Sequence, residues 1–130
     1  MPFSHPIEVR FRDLDPFGHV NHAAVLTFLE VARLAWWRGF LAGRPFEEAG
    51  FLIARVEVDY RKPILLEDAV RVELRCTQAG TSSFALAYQV LRGDGVVLVE
   101  AQSVQVLYDF RAGRPRPVPP ELAAWLRGQA

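Results

Sequence analysis

Ile7, Val9 and Phe11 alternate with Glu8, Arg10 and Arg12, the period-two pattern of a strand with one buried face. The run leads into Asp15-Pro16-Phe17-Gly18, whose Asp, Pro and Gly occupy the positions that favour a type I turn. From His22 to about Leu41 the period changes. Val25, Leu26, Phe28, Leu29, Val31, Leu34, Ala35, Trp36 and Trp37 cover most of a helical circumference, which predicts a long buried helix. Thr27, Glu30, Arg33 and Trp37 follow at three- or four-residue steps as a narrow polar stripe. Asn21 suits the amino-terminal cap, and Gly39 or Gly43, followed by Pro45, marks the exit.

Four further strands follow. Leu52, Ala54, Val56, Val58 and Tyr60 form the apolar face of the first, with Pro63 at an edge or bend; Val70, Val72, Leu74 and Cys76 form that of the second, and Phe84, Leu86, Tyr88 and Val90 that of the third. The last runs from Val96 to Tyr108, where a change of apolar phase between Val97-Val99-Ala101 and Val104-Val106-Tyr108 predicts a β-bulge. Glu67-Asp68, Ala79-Gly80-Thr81 and Gly93-Asp94-Gly95 separate the strands, and such short turns imply an antiparallel meander. The expected fold is α+β: about five antiparallel strands, strongly curved around one long central helix, with a short C-terminal helix from Glu121 to Arg127. One domain is expected, with its core over about residues 6–110 and residues 111–130 as an extended Pro/Arg-rich tail and short helix.

Charge narrows the partners. Fifteen basic and fifteen acidic side chains among 130 residues give no net field for nucleic acid or an anionic membrane, so an anionic ligand must be recognised locally. Cys76 is the single cysteine, which excludes an internal disulfide and a CxxC pair and suits a reducing cytoplasm. The stretch from Pro2 to Pro6 lacks the basic and apolar regions of a signal peptide, and no apolar run approaches the ~20 residues of a membrane span.

A strand, the run Asp13-Leu14-Asp15-Pro16-Phe17-Gly18-His19-Val20-Asn21, a buried helix carrying Phe28-Leu29-Glu30-Val31-Ala32-Arg33, and a four-stranded meander together resemble the 4-hydroxybenzoyl-CoA thioesterase-like hotdog family. The resemblance covers roughly residues 6–110 and is most specific in the D-x-D-x-x-G-H-V-N run. It implies a cytoplasmic acyl-CoA thioesterase that uses neither metal nor organic cofactor and assembles as a homodimer or homotetramer. It also implies that Asp15 is the catalytic carboxylate, either attacking the thioester carbonyl or activating water. The oxyanion would then be met by main-chain N–H groups at the helix start, near His22 and Ala23, with Asn21 orienting that turn.

Each of these residues also has a plainer reading. Asp15 can simply hydrogen-bond the backbone of its turn, and Asp13 reads as structural. His19 is a candidate proton carrier or substrate contact, and it keeps open a hotdog dehydratase or hydratase acting on acyl thioesters; a non-catalytic acyl-CoA binding module is the third alternative. Glu30 is either a second carboxylate or the partner of Arg33 one turn away. For CoA the local candidates are Arg61, Lys62 and Arg75 for phosphates, and Ser82 and Ser83 for pantetheine or nucleotide. Phe17, Trp36, Trp37 and Phe40 either bound an acyl tunnel or belong to the core.

Overall fold

The computed structural model describes residues 2–45 and 50–130. Strand β1 spans Phe3–Ile7, a 3₁₀ turn Phe11–Asp13, helix α1 His22–Leu41, and strands β2 to β5 Phe51–Tyr60, Val70–Ala79, Ser83–Arg92 and Val97–Asp109. A two-residue strand β6, Arg114–Pro115, and helix α2, Pro120–Arg127, complete the chain. The sheet is antiparallel in the order β1-β3-β4-β5-β2, with β6 added to β5. This is the curved hotdog sheet with α1 laid along its inner face. Among the described residues no helix is long and apolar enough to cross a membrane.

The first strand lies earlier than its alternation suggests. Phe3, His5 and Ile7 pair opposite Leu74, Val72 and Val70, while Phe11 is exposed in the 3₁₀ turn. The cause is local: the Asp13 carboxylate accepts the Arg10 N–H at 2.9 Å and curls residues 10–13 out of the extended state. Pro6 is tolerated because β1 is an edge strand with only one neighbour.

The expected phase change in the last strand does not occur. Val99, Ala101, Ser103, Gln105 and Leu107 all turn inward and are buried; the bulges fall instead at Ala54, Thr77 and Leu98, where the pairing slips by one residue. Two inward polar residues are accommodated because a row of hydrogen bonds joins them. Arg33 Nη1 donates to the Tyr88 hydroxyl at 3.1 Å, Tyr88 bonds Ser103 Oγ at 2.5 Å, and Gln105 Nε2 donates to the same oxygen.

Helix α1 begins and ends as its sequence predicts. Asn21 Oδ1 accepts the Ala23 N–H at 2.8 Å, and Gly43, at φ 90°, follows the last turn; Gly39 stays helical beneath Trp125. The buried positions are Val25, Phe28, Leu29, Ala32, Trp36, Trp37 and Phe40, so Trp37 belongs to the core and not to a polar stripe. Nor is the helix covered all round within one chain: Leu26, Val31 and Leu34 are exposed at 40%, 43% and 40%, beside Thr27 and Glu30. Strand β2 is likewise uncovered, with Ile53, Val56 and Tyr60 exposed at 42%, 43% and 48% on the side that faces the helix layer.

At the far end of α1, Trp36, Trp37 and Phe40 pack with Phe51, Phe84 and Trp125, ring centroids 4.8–6.0 Å apart. Leu122 and Leu126 of α2 are buried in this core, and Trp36 Nε1 donates to Gln129 Oε1 at 3.1 Å. The segment beyond residue 110 is therefore integral to the packing.

Candidate active site

Residues 14–20 form a small loop closed at its neck. Leu14 and Val20 bridge antiparallel, Asp15 N–H donates to His19 O at 2.8 Å, and Gly18 N–H donates to Asp15 O at 3.0 Å. Gly18 adopts φ 83°, which a residue with a side chain reaches only with strain. Val20 N–H donates to Ile64 O at 2.8 Å, fastening the loop to the segment after β2, and Asn21 N–H donates to Asp13 O at 2.7 Å. Asp13 is buried and acts on backbone on both sides of the loop, in keeping with a structural role.

The Asp15 carboxylate is half-buried, and its Oδ1 accepts the N–H groups of Phe17 at 2.9 Å and His19 at 3.4 Å. Those bonds are the turn-forming role read from sequence, and they also aim the carboxylate. It lines a cleft of about 310 Å³ together with His19, His22, Tyr60, Arg61 and Lys62, over an apolar floor of Val20, Val25, Pro63, Ile64 and Val99. The bulge at Leu98 builds one wall, since its carbonyl accepts both the Arg61 and Lys62 N–H groups, at 2.9 and 3.0 Å.

The start of α1 opens into this cleft, but its amides are not all available. Ala23 N–H is taken by Asn21 Oδ1, and Ala24 N–H donates to Asn21 O at 2.9 Å. Of the first amides of the helix, His22 N–H is the one with no partner among the described residues, so the donor expected near His22 and Ala23 narrows to His22.

The other candidates separate by position. Arg61 and Lys62 share the cleft, with Arg61 also near Asp59 and Glu100, at 3.7 and 3.5 Å. Arg75 lies in a different cleft on the outer face of the sheet, walled by Glu57, Asp59, Glu73 and Glu100, a poor setting for a polyanion. Ser83 pairs with Val106, seven residues or about 23 Å of strand along β5 from Val99 of the Asp15 cleft, with Ser82 beside it. Glu30 is exposed and makes no ion pair with Arg33, whose guanidinium turns to Tyr88. Trp36, Trp37 and Phe40 are core, and Phe17, 84% exposed, tips the loop. Among the described residues no three His, Cys, Asp or Glu side chains are grouped to hold a metal ion. Sequence reasoning passed over Tyr60, which reads only as the last apolar position of a strand; the Arg61-Lys62 pair beside it was the one available signal.

A curved antiparallel sheet laid on one long helix is the hotdog architecture of thioesterases. The chain belongs to the thioesterase-like superfamily, whose family model matches residues 9–126. It is 30% identical over 111 residues to the long-chain acyl-CoA thioesterase FadM of Escherichia coli, covering 81% of this chain and 82% of that one. To the acyl-CoA thioester hydrolase YbgC of Escherichia coli it is 26% identical over 125 residues, 94% and 93% of the two chains. The crystal structure of a Thermus thermophilus thioesterase complexed with coenzyme A and zinc superposes with a TM-score of 0.86 at 38% identity, covering 95% of this chain and 96% of that one.

Proposed function

We propose that this protein hydrolyses acyl-CoA thioesters to a free carboxylic acid and CoA, with Asp15 attacking the carbonyl carbon or activating the water that does. Addition of the attacking oxygen to the carbonyl carbon gives a tetrahedral intermediate, whose collapse breaks the C–S bond and releases the CoA sulfur as thiolate. Where Asp15 activates water, the proton it takes passes to the thiolate; where Asp15 attacks, water then hydrolyses the acyl-aspartyl anhydride to the free acid and restores the carboxylate. In the intermediate the former carbonyl oxygen carries negative charge, which the unpartnered His22 N–H at the positive end of α1 is suited to receive. The observation that carries this reading is the shared cleft: Asp15, with Oδ1 tethered by two amides, lies on the same walls as the start of α1. These groups supply a base or nucleophile and an oxyanion donor without a metal or organic cofactor. His19 lines the cleft as a candidate substrate contact. The thioesterase names of the relatives support the same substrate class.

The protein works as a homodimer or homotetramer in this reading. The support is the uncovered apolar strip of α1 together with the half-exposed inner face of edge strand β2, which a second copy would bury along with the open strand edge. A cytoplasmic setting suits a chain whose single cysteine, Cys76, is a buried free thiol; recovery of the native protein in a membrane or secreted fraction would contradict it.

The test is thiol release across a panel of acyl-CoAs of varied length and aryl character, beside hydration of enoyl-CoA, on a preparation weighed by light scattering. Hydrolysis is expected, with an Asp15→Asn loss of about 10²–10⁴-fold in kcat and an unchanged thermal transition. Hydration without thiol release, or an Asp15→Asn variant as fast as the parent, overturns the mechanism, and a monomeric mass overturns the assembly.

A further inference from the structure

Tyr60 ends β2 opposite Val99, with its side chain on the helix-facing side of the sheet. Its hydroxyl donates to the carbonyl oxygen of His22 at 2.9 Å, and its ring stands edge-on to the His22 imidazole, centroids 6.4 Å apart and planes at 89°. The same peptide unit is held at its other end, because the Ala23 N–H is donated to Asn21 Oδ1. The first peptide of α1 is thus gripped from both sides, once by the cap and once by the neighbouring strand.

We propose that Tyr60 is a positioning residue for thioester hydrolysis: by anchoring the His22 carbonyl it fixes the turn whose preceding amide, His22 N–H, faces the oxyanion. This rests on the proposed function above and adds a residue to it. Folding does not demand the bond. A carbonyl in the first turn of a helix already accepts the N–H four residues on, and the end of β2 is tied independently by the Arg61 and Lys62 amides on Leu98 O. What Tyr60 adds is direction, and misplacing a reacting group by an ångström is enough to cost up to about 10² in rate. Desolvation pushes the phenol above its ordinary pKa, so it remains a donor throughout the neutral range.

Tyr60→Phe keeps the ring against His22 and removes only the hydroxyl. Steady-state thiol release should show kcat lowered about tenfold with KM within about twofold of the parent, and a thermal transition that does not move. A parent-like kcat refutes the proposal. So does a rise in KM alone, which would make Tyr60 a substrate contact, or a kcat loss matched by a fallen thermal transition, which would make it structural. Asp15→Asn in the same assay separates the two levels of the argument. If it is inactive while Tyr60→Phe is unimpaired, only the Tyr60 role fails; if it is fully active, the mechanism fails and the Tyr60 role with it.

Discussion

The two ends of α1 are built from opposite materials. At its C-terminal end Trp36, Trp37 and Phe40 are buried among Phe51, Phe84 and Trp125, and α2 closes the layer. At its N-terminal end the helix opens into a cleft of about 310 Å³ with charged and polar side chains above an apolar floor, and the His22 amide has no partner among the described residues. The far end has spent its surface on packing, whereas the near end keeps backbone dipoles and a carboxylate in reach of a ligand. A helix of 20 residues separates them by about 30 Å, so stability and chemistry can be altered independently.

Two substitutions test that separation, the larger effect first. Trp36→Ala removes a 2% exposed side chain and its bond to Gln129, and should lower the unfolding free energy by about 3–5 kcal/mol in denaturant titration. Its folded fraction should still turn over at the parent rate; a collapse of kcat in fully folded Trp36→Ala would mean that the ends are coupled. Asn21→Ala removes the cap at the other end and should cost about 1 kcal/mol. Here kcat should fall as well, since the Ala23 N–H is released beside the His22 donor. Loss of stability with intact kcat would break the comparison, because the cap would then serve folding alone.

Much of the near end is legible in the chain, because its determinants are local. The Asp15-to-Asn21 run specifies turn, carboxylate and cap within a few residues, and α1 spans the residues that the helical period predicts. Where the alternation is not followed, side-chain bonds and sheet placement override it. The alternation through Phe11 is broken by one side-chain bond from Asp13 to the Arg10 amide. Val104 and Val106 look like an inward face, yet Ser103 and Gln105 take it: Tyr88, held by Arg33 of α1, bonds Ser103 Oγ, and Gln105 Nε2 donates to that same oxygen. Arg75 and Ser83 read as equals of Arg61 until the sheet puts them on another face and at another end.

By itself the chain's pattern of apolar and polar positions determined the element order, the helix and its cap, and the segment that carries the carboxylate, because period, turn chemistry and capping act over a handful of neighbours. Only the tertiary structure decided which amide stays open, which cations share the cleft, and that Tyr60 reaches the His22 carbonyl across 38 positions of chain. Those depend on the bulge at Leu98 and on the order in which β2 joins β5, and pairings of that kind are decided by the whole sheet at once.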